Sequence, residues 1–175
     1  MAFRWSERVP ETGSSVSPRD VVVCCDGTWN EPRSSTTNVL RVVAALDERP
    51  TTRCFYHPGV GTVATTSKLF GLRRRLAEFL DGATAWSFEP RVAMAYRFVV
   101  ENWRPGDRLF LFGFSRGAFA ARVVAALLHR VGVLKPQHVN LIPHLIALYR
   151  KRLGEPGNRG YWSGIEMFRN KFSLN

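Results

Sequence analysis

The sequence predicts a fold of the α/β class, built on a mostly parallel sheet. Segments rich in β-branched and aromatic residues alternate with segments of helical periodicity, an order typical of parallel strands joined by helices. A second observation is the pentapeptide Gly-Phe-Ser-Arg-Gly at 113–117, which separates an apolar run from a run of helix-forming residues. Parallel sheets bind ligands at the carboxyl ends of their strands, so we expect function in the loops that follow the strands.

The predicted elements follow one another in a regular order. Residues 1–18 are polar and predict a flexible tail, and residues 19–175 predict one domain. Strands are predicted at 20–25, 53–57 and 108–112, and helices after Thr37, after Glu89-Pro90, at 118–129 and at 139–153. Gly132 is expected to end the helix at 118–129. The segment 63–87 is basic and amphipathic and favours no single structure.

The pentapeptide has the spacing of a nucleophile elbow, the sharp strand-to-helix turn on which α/β hydrolases carry a reactive serine. The run 108–112 shows no polar alternation, as expected for a strand buried on both faces. Side chains two positions before and after Ser115 would clash in such a turn, so glycine is needed at Gly113 and Gly117. The pattern predicts Ser115 as a nucleophile; the alternative is a buried serine in an ordinary glycine turn.

A serine nucleophile also needs hydrogen-bond donors for the oxyanion. One donor in such sites is the backbone N–H after the nucleophile, here that of Arg116, and the other comes from a loop after an earlier strand. The Gly27-Thr28 backbone follows the first strand and is the predicted second donor. The alternative is an ordinary strand-to-loop turn, which would have the same sequence pattern. Four further residues that follow the first two strands are predicted to line the site: Asp26, Asn30, Gly59 and Gly61.

The segment Asp26-Gly27-Thr28 also suggests a different reaction. Haloacid-dehalogenase-type phosphatases carry Asp-x-Asp-Gly-Thr after such a strand, and their first aspartate is the nucleophile. Cys24 occupies that position here. Without the carboxylate the phosphatase mechanism fails, so we set this alternative aside.

Several separated motifs resemble one family. They are Val-Val-Cys-Cys-Asp-Gly-Thr-Trp-Asn at 22–30, Thr-Asn-Val at 37–39, Tyr-His-Pro-Gly-Val-Gly-Thr at 56–62, Arg91-Val92 with Ala95-Tyr96, and Arg-Pro-Gly-Asp at 104–107 ahead of Gly-Phe-Ser-Arg-Gly-Ala-Phe-Ala-Ala-Arg at 113–122. In this order they resemble the α/β hydrolase domain typified by type VI secretion phospholipase effectors, over about residues 20–135. The resemblance implies a Ser-Asp-His lipase acting on acyl esters, often of phospholipids. An effector would also have a secretion-apparatus or immunity partner.

The triad partners of Ser115 are not evident in the sequence. In this fold the acid and then the histidine follow the serine along the chain. After Ser115 there is no aspartate, and Glu155 and Glu166 both follow the histidines at 129, 138 and 144. We therefore expect an N-terminal part of a hydrolase domain, or a degenerate member, that is inactive or nearly so alone. The alternative is an interaction or membrane-associating module that keeps the fold without catalysis.

Composition narrows the classes of partner. The net charge of +11 suits an anionic membrane surface, and the alternative is an ordinary solvated surface rich in arginine. Specific nucleic-acid binding is not predicted, because no helix-turn-helix, zinc-finger or stacking motif accompanies the charge. Three cysteines, two of them adjacent, predict no disulfide framework, and no metal or cofactor is predicted. The first 18 residues lack a signal-peptide core, which predicts synthesis in the cytoplasm and leaves open export without a cleaved signal.

Overall fold

The central feature of the fold is a parallel sheet with helices against both faces. The computed structural model describes residues 17–27, 37–46, 50–59, 89–154 and 159–174. Its elements in chain order are β1 Asp20–Cys25, α1 Asn38–Ala45, β2 Thr52–His57, α2 Glu89–Asn102, β3 Arg108–Gly113, α3 Arg116–Arg130, β4 Val133–Leu134, a 3-10 helix Pro136–Leu141, α4 Ile142–Gly154, α5 Arg159–Met167, a π-helical turn Phe168–Phe172, and β5 Ser173–Leu174.

The three main strands lie in the order β2-β1-β3, and both pairs are parallel. Cys25 at the end of β1 is in register with His57 of β2 and with Gly113 of β3. The carboxyl ends of the strands are therefore level, and the loops that follow them start at one edge of the sheet. We call this edge the carboxyl edge and the opposite one the amino edge.

Two hydrophobic clusters cover the two faces of the sheet. Alternate residues of β1 point to opposite faces, so Val23 and Cys25 join the larger cluster while Val22 and Cys24 join the smaller one beneath α1. The larger cluster is built mainly from α2, α3 and α4, with members that include Val92, Tyr96, Val99, Val124, Leu127 and Leu145. Burial on both faces explains the continuous apolar run of β1. The residues of β3 contact both clusters but are only partly buried, so the predicted burial of that strand is not complete.

An ion pair fixes the amino edge. The Arg19 Nη2 atom lies 2.7 Å from Asp107 Oδ2 and also donates to the carbonyl of Asn102 at 2.6 Å. Burial raises the pKa of Asp107, but hydrogen bonds from Arg19 and from the Arg104 backbone outweigh it and hold the pKa below its ordinary value. The starts of β1 and β3 and the end of α2 are thus tied together at this edge.

The structure agrees with most predicted elements and corrects one. The predicted helix at 139–153 is wrong as a single helix: residues 136–141 form a 3-10 helix and α4 begins at Ile142. Pro143 explains the division, because proline is tolerated only in the first turn of an α-helix. The β4–β5 pair is antiparallel and was not predicted, nor were α5 and the π-helical turn. Gly132 lies just past α3 with φ +90°, as expected for a residue that ends a helix.

Two predictions on organisation concern residues that the structure does not describe. The segment 63–87 and all of the predicted tail except residues 17–18 lie outside the described residues. Within the parts that the structure describes, no helix is both long and apolar enough to span a membrane.

Candidate active site

The loops after β1 and β3 meet at the carboxyl edge, around Ser115. The Phe114 N–H donates to the carbonyl of Cys25 at 3.1 Å, which joins the two loops. A Cβ atom added to Gly27 would lie 3.2 Å from the Cβ of Ser115. Of the predicted site residues, the structure thus brings Asp26 and Gly27 beside the turn at 113–117, and Gly59 follows β2 one strand further away. Thr28, Asn30 and Gly61 lie outside the described residues.

Ser115 has an unusual backbone conformation. Its φ is +53° and its ψ is −123°, and among the described residues no other non-glycine residue has a positive φ. Such a conformation costs about 1–3 kcal/mol and persists only where the surroundings enforce it. The enforcing contacts are hydrogen bonds from the N–H of Gly117 to the Phe114 carbonyl at 2.8 Å and from the N–H of Ala118 to the Ser115 carbonyl at 3.0 Å. Ser115 itself is exposed at the start of α3.

The two glycines of the pentapeptide lie where no side chain fits. A Cβ on Gly113 would lie 2.6 Å from the Cα of Ala118 and from the carbonyl oxygen of Gly117. A Cβ on Gly117 would overlap the carbonyl oxygen of Cys25 and lie 2.5 Å from its carbonyl carbon. These neighbours are backbone atoms, so they cannot move aside by a change of rotamer. The close approach places the start of α3 directly against the end of β1.

Asp26 is fully buried and accepts several hydrogen bonds. Its Oδ1 accepts from the N–H of Gly27 at 2.7 Å, and its Oδ2 accepts from Thr37 Oγ1 at 2.5 Å and from Tyr56 Oη at 3.1 Å. Thr37 is also the N-cap of α1, where its hydroxyl accepts from the N–H of Leu40. Burial and the hydrogen bond to Asp26 raise the pKa of Tyr56 to about 12, so Tyr56 stays protonated and donates. The carboxylate thus links the end of β1 to α1 and β2.

A buried arginine and a partly buried histidine, whose Nδ1 atom is buried, lie near the ends of β1 and β2. Arg91 is 5% exposed, and its Nε has no hydrogen-bond partner among the described residues; the same is true of Nδ1 of His57. Burial lowers the pKa of His57, and the charge of Arg91 lowers it further. The sequence motif contained Arg91 without giving it a role. Its spacing from Ala95 and Val99 could have placed it on the buried face of α2.

The other three histidines lie away from Ser115. His129 is near the end of α3, which at about 1.5 Å per residue puts it about 20 Å along the helix from Ser115. The His138 ring packs edge-on against Phe172, beside the β4–β5 pair, and His144 is exposed on α4. Among the described residues, no group of His, Cys, Asp and Glu side chains could hold a metal ion.

The parallel sheet with helices on both faces defines a protein of the α/β class, with a strained serine turn at the carboxyl edge of the sheet. Comparison with known proteins gives the family. Residues 19–166 match the family described as "T6SS, Phospholipase effector Tle1-like, catalytic domain", and the chain belongs to this family. It is also 34% identical, over 175 residues, to "Uncharacterized protein YEL023C" of Saccharomyces cerevisiae; the match covers 94% of this chain and 25% of that protein. The chain therefore spans about a quarter of that relative. No solved structure matches.

Proposed function

We propose that the chain is a serine hydrolase domain of the α/β-hydrolase type that acts on acyl esters of phospholipids, with Ser115 as its nucleophile. Membership of the phospholipase effector family supports the substrate class. The observation that carries the proposal is the positive φ of Ser115, on an exposed turn between β3 and α3 at the carboxyl edge. Backbone strain of this kind clusters at functional sites, where it aims a reactive group. In this proposal the turn at 113–117 is a nucleophile elbow.

In the proposed reaction, Ser115 Oγ attacks the ester carbonyl carbon and gives up its proton to a base, and the tetrahedral intermediate collapses to an acyl-serine as the alcohol leaves with a proton. Water then hydrolyses the acyl-serine, which releases the fatty acid and restores Ser115. The oxyanion would lie at the start of α3, where the Arg116 N–H and the positive end of the helix dipole favour negative charge. The Gly27 N–H is donated to Asp26 in this structure, so we assign the second donor to the backbone of Thr28. Gly27 contributes by letting the two loops approach closely.

The base and acid of the proposed triad are not supplied by the described residues. His57 is the one histidine of the described residues at the carboxyl edge, but β1 lies between its strand and that of Ser115. Two strand spacings amount to about 10 Å, far beyond the reach of about 3 Å that a general base needs. We therefore propose that this chain alone hydrolyses esters weakly at most. A secretion apparatus or an immunity protein would be a partner of the full-length protein if it acts as an effector.

Labelling with a fluorophosphonate tests the nucleophile without requiring full turnover. Because the described residues supply no base for Ser115, we expect the wild-type chain to be labelled slowly and Ser115→Ala to lose the label. Ser163→Ala is the matched control, because Ser163 is also exposed but lies within α5, and it should be labelled like the wild type. Mass spectrometry of the labelled peptide gives the position. An unlabelled wild-type chain would contradict the proposal and favour the second candidate, an interaction module with the same fold. The distance of the described histidines from Ser115 is the observation that favours this candidate.

A further inference from the structure

Arg91 lies beneath the carboxyl edge, and no carboxylate of the described residues forms an ion pair with it. It is in the first turn of α2, and the other end of that helix is at the amino edge, where Asn102 accepts a hydrogen bond from Arg19. Helix α2 packs against β1 and β2, and Arg91 acts electrostatically on both Cys25 and His57, the last residues of these strands. The guanidinium is therefore located under the ends of β1 and β2.

None of the carboxylates that the structure describes pairs with Arg91. Asp20 pairs with Arg108, Asp107 with Arg19, Glu101 with Arg97 and Glu89 with Arg150. Asp26 accepts hydrogen bonds from Gly27, Thr37 and Tyr56, and Glu166 is exposed on α5. The charge of Arg91 thus has no counter-ion within the described part of the chain.

A buried arginine that has no counter-ion among the described residues is unfavourable in this position for two separate reasons. Burial removes the guanidinium from water, which lowers the pKa of Arg91 and destabilises its charged form. The N-terminal end of a helix also carries a partial positive charge, which repels a cation. A bound anion would offset both effects, because it attracts the guanidinium and also the positive end of the helix. The buried Nδ1 of His57 offers that anion a further donor when it carries the proton.

We propose that Arg91, together with Nδ1 of His57 and the N-terminal end of α2, binds the phosphate group of the phospholipid substrate while Ser115 attacks its acyl ester. This inference rests on the proposed function of Ser115. The planar guanidinium can donate two parallel hydrogen bonds to phosphate, a geometry that lysine cannot provide. The strands that carry His57 and Ser115 are about 10 Å apart. The contact between Arg91 and the phosphate, followed by the glycerol that joins phosphate to ester, would span this distance. Arg91 would thereby fix which part of the lipid reaches Ser115.

Thermal unfolding of the whole chain, with and without a phosphate ligand, tests the site. The probe is glycerophosphocholine, a phosphodiester without net charge, compared with inorganic phosphate and with glycerol. The variants are Arg91→Met and the matched control Arg122→Met, which removes an exposed arginine of α3. We expect glycerophosphocholine to raise the Tm of the wild type and of Arg122→Met, and glycerol to have no effect. Arg91→Met should lose this rise, and its Tm in phosphate-free buffer should equal or exceed that of the wild type.

Three outcomes would overturn the proposal. A lower Tm of Arg91→Met in phosphate-free buffer, with no response of the wild type to phosphate, would mean that Arg91 pairs with a carboxylate of this chain. A response to glycerophosphocholine that survives in Arg91→Met would place the phosphate elsewhere. A response to inorganic phosphate alone would mean a site for free phosphate and not for a lipid. The labelling of Ser115 is scored separately, so a failure of this site and a failure of the nucleophile give different results.

Discussion

At the carboxyl edge, Asp26 joins three parts of the chain through one carboxylate. Its carboxylate oxygens accept hydrogen bonds from Gly27, from the N-cap residue Thr37 of α1 and from Tyr56, and the residue is fully buried. A buried acceptor of this kind stabilises the fold only while its donors stay in place, because an unsatisfied buried polar group costs about 1–3 kcal/mol. Asp26 therefore positions the loop that carries Gly27, and it would act on catalysis only through that loop.

Replacing Asp26 by Asn should lower the free energy of unfolding by about 2–3 kcal/mol, since the charge is lost and an N–H₂ group faces hydroxyl donors. Tyr56→Phe removes a single donor and should cost about 1 kcal/mol. Urea denaturation measures both. Asp20→Asn is the control, because its pair with Arg108 is solvent-exposed and should matter little. Equal stability of Asp26→Asn and Asp20→Asn would contradict the structural role of Asp26.

Single residues differ in how well the sequence reveals them. Ser115 and its glycines could be predicted because the clash between backbone segments requires glycine at fixed positions, and the structure shows those close approaches. The hydrogen bond from Gly27 to Asp26 could not be predicted, because the sequence Asp-Gly-Thr does not indicate the orientation of the carboxylate. Arg91 was hidden for a similar reason: its burial depends on helix packing across the sheet, and its charge suggested a surface position.

Among the secondary-structure elements, the unit from β3 to α3 makes the tightest contact with the sheet. Gly117 in the first turn of α3 touches the backbone of Cys25 and Asp26, so the start of the helix is pressed against the end of β1. Gly106, in the turn before β3, has a positive φ of +94° but no atom within 4 Å of its added Cβ. The two glycines therefore serve different purposes, close approach in one case and backbone conformation in the other.

This difference gives a paired prediction. Gly117→Ala should lower the free energy of unfolding by more than about 3 kcal/mol, because the new methyl group overlaps backbone atoms that cannot change rotamer. Gly106→Ala should cost only about 1–2 kcal/mol, the strain of a left-handed conformation. Urea denaturation compares the two, and the soluble yield at 20 °C serves if Gly117→Ala does not fold. A milder effect at Gly117 than at Gly106 would mean that the turn is looser than its backbone distances imply.

The accuracy of the element predictions follows from the length and periodicity of each segment. The strands β1, β2 and β3 were predicted within one residue at each end, since each is a run of six residues bounded by turn-forming sequence. Strands β4 and β5 have two residues each, too few to establish a period, and their pairing joins positions 133 and 174. Such a contact depends on the path of the whole chain. The proline that divides 136–154 was visible, and its effect on the helix start was missed.

For the whole molecule, charge is the dominant property. The chain has 25 lysines and arginines against 14 acidic residues, which gives a net charge of +11. Four of the described carboxylates pair with arginines, two at the amino edge of the sheet and two on the helices, and the 25 basic residues exceed all 14 acidic ones. A substrate presented in a membrane would meet this excess of positive charge before it meets Ser115. If the proposed function holds, electrostatic attraction to an anionic surface and binding of one lipid at the site are separable steps.

We expect the chain to bind vesicles that contain phosphatidylglycerol at low ionic strength and to dissociate as salt is added. Basic residues near such a surface contribute about 1 kcal/mol each, and the screening length falls from about 10 Å at 0.1 M salt to about 3 Å at 1 M. Co-sedimentation measures the bound fraction, with phosphatidylcholine vesicles as the neutral control. Ser115→Ala should bind like the wild type, because the attraction does not involve the reacting group. Equal binding to both kinds of vesicle, or binding that persists at 1 M salt, would mean that apolar insertion and not charge holds the protein at the membrane.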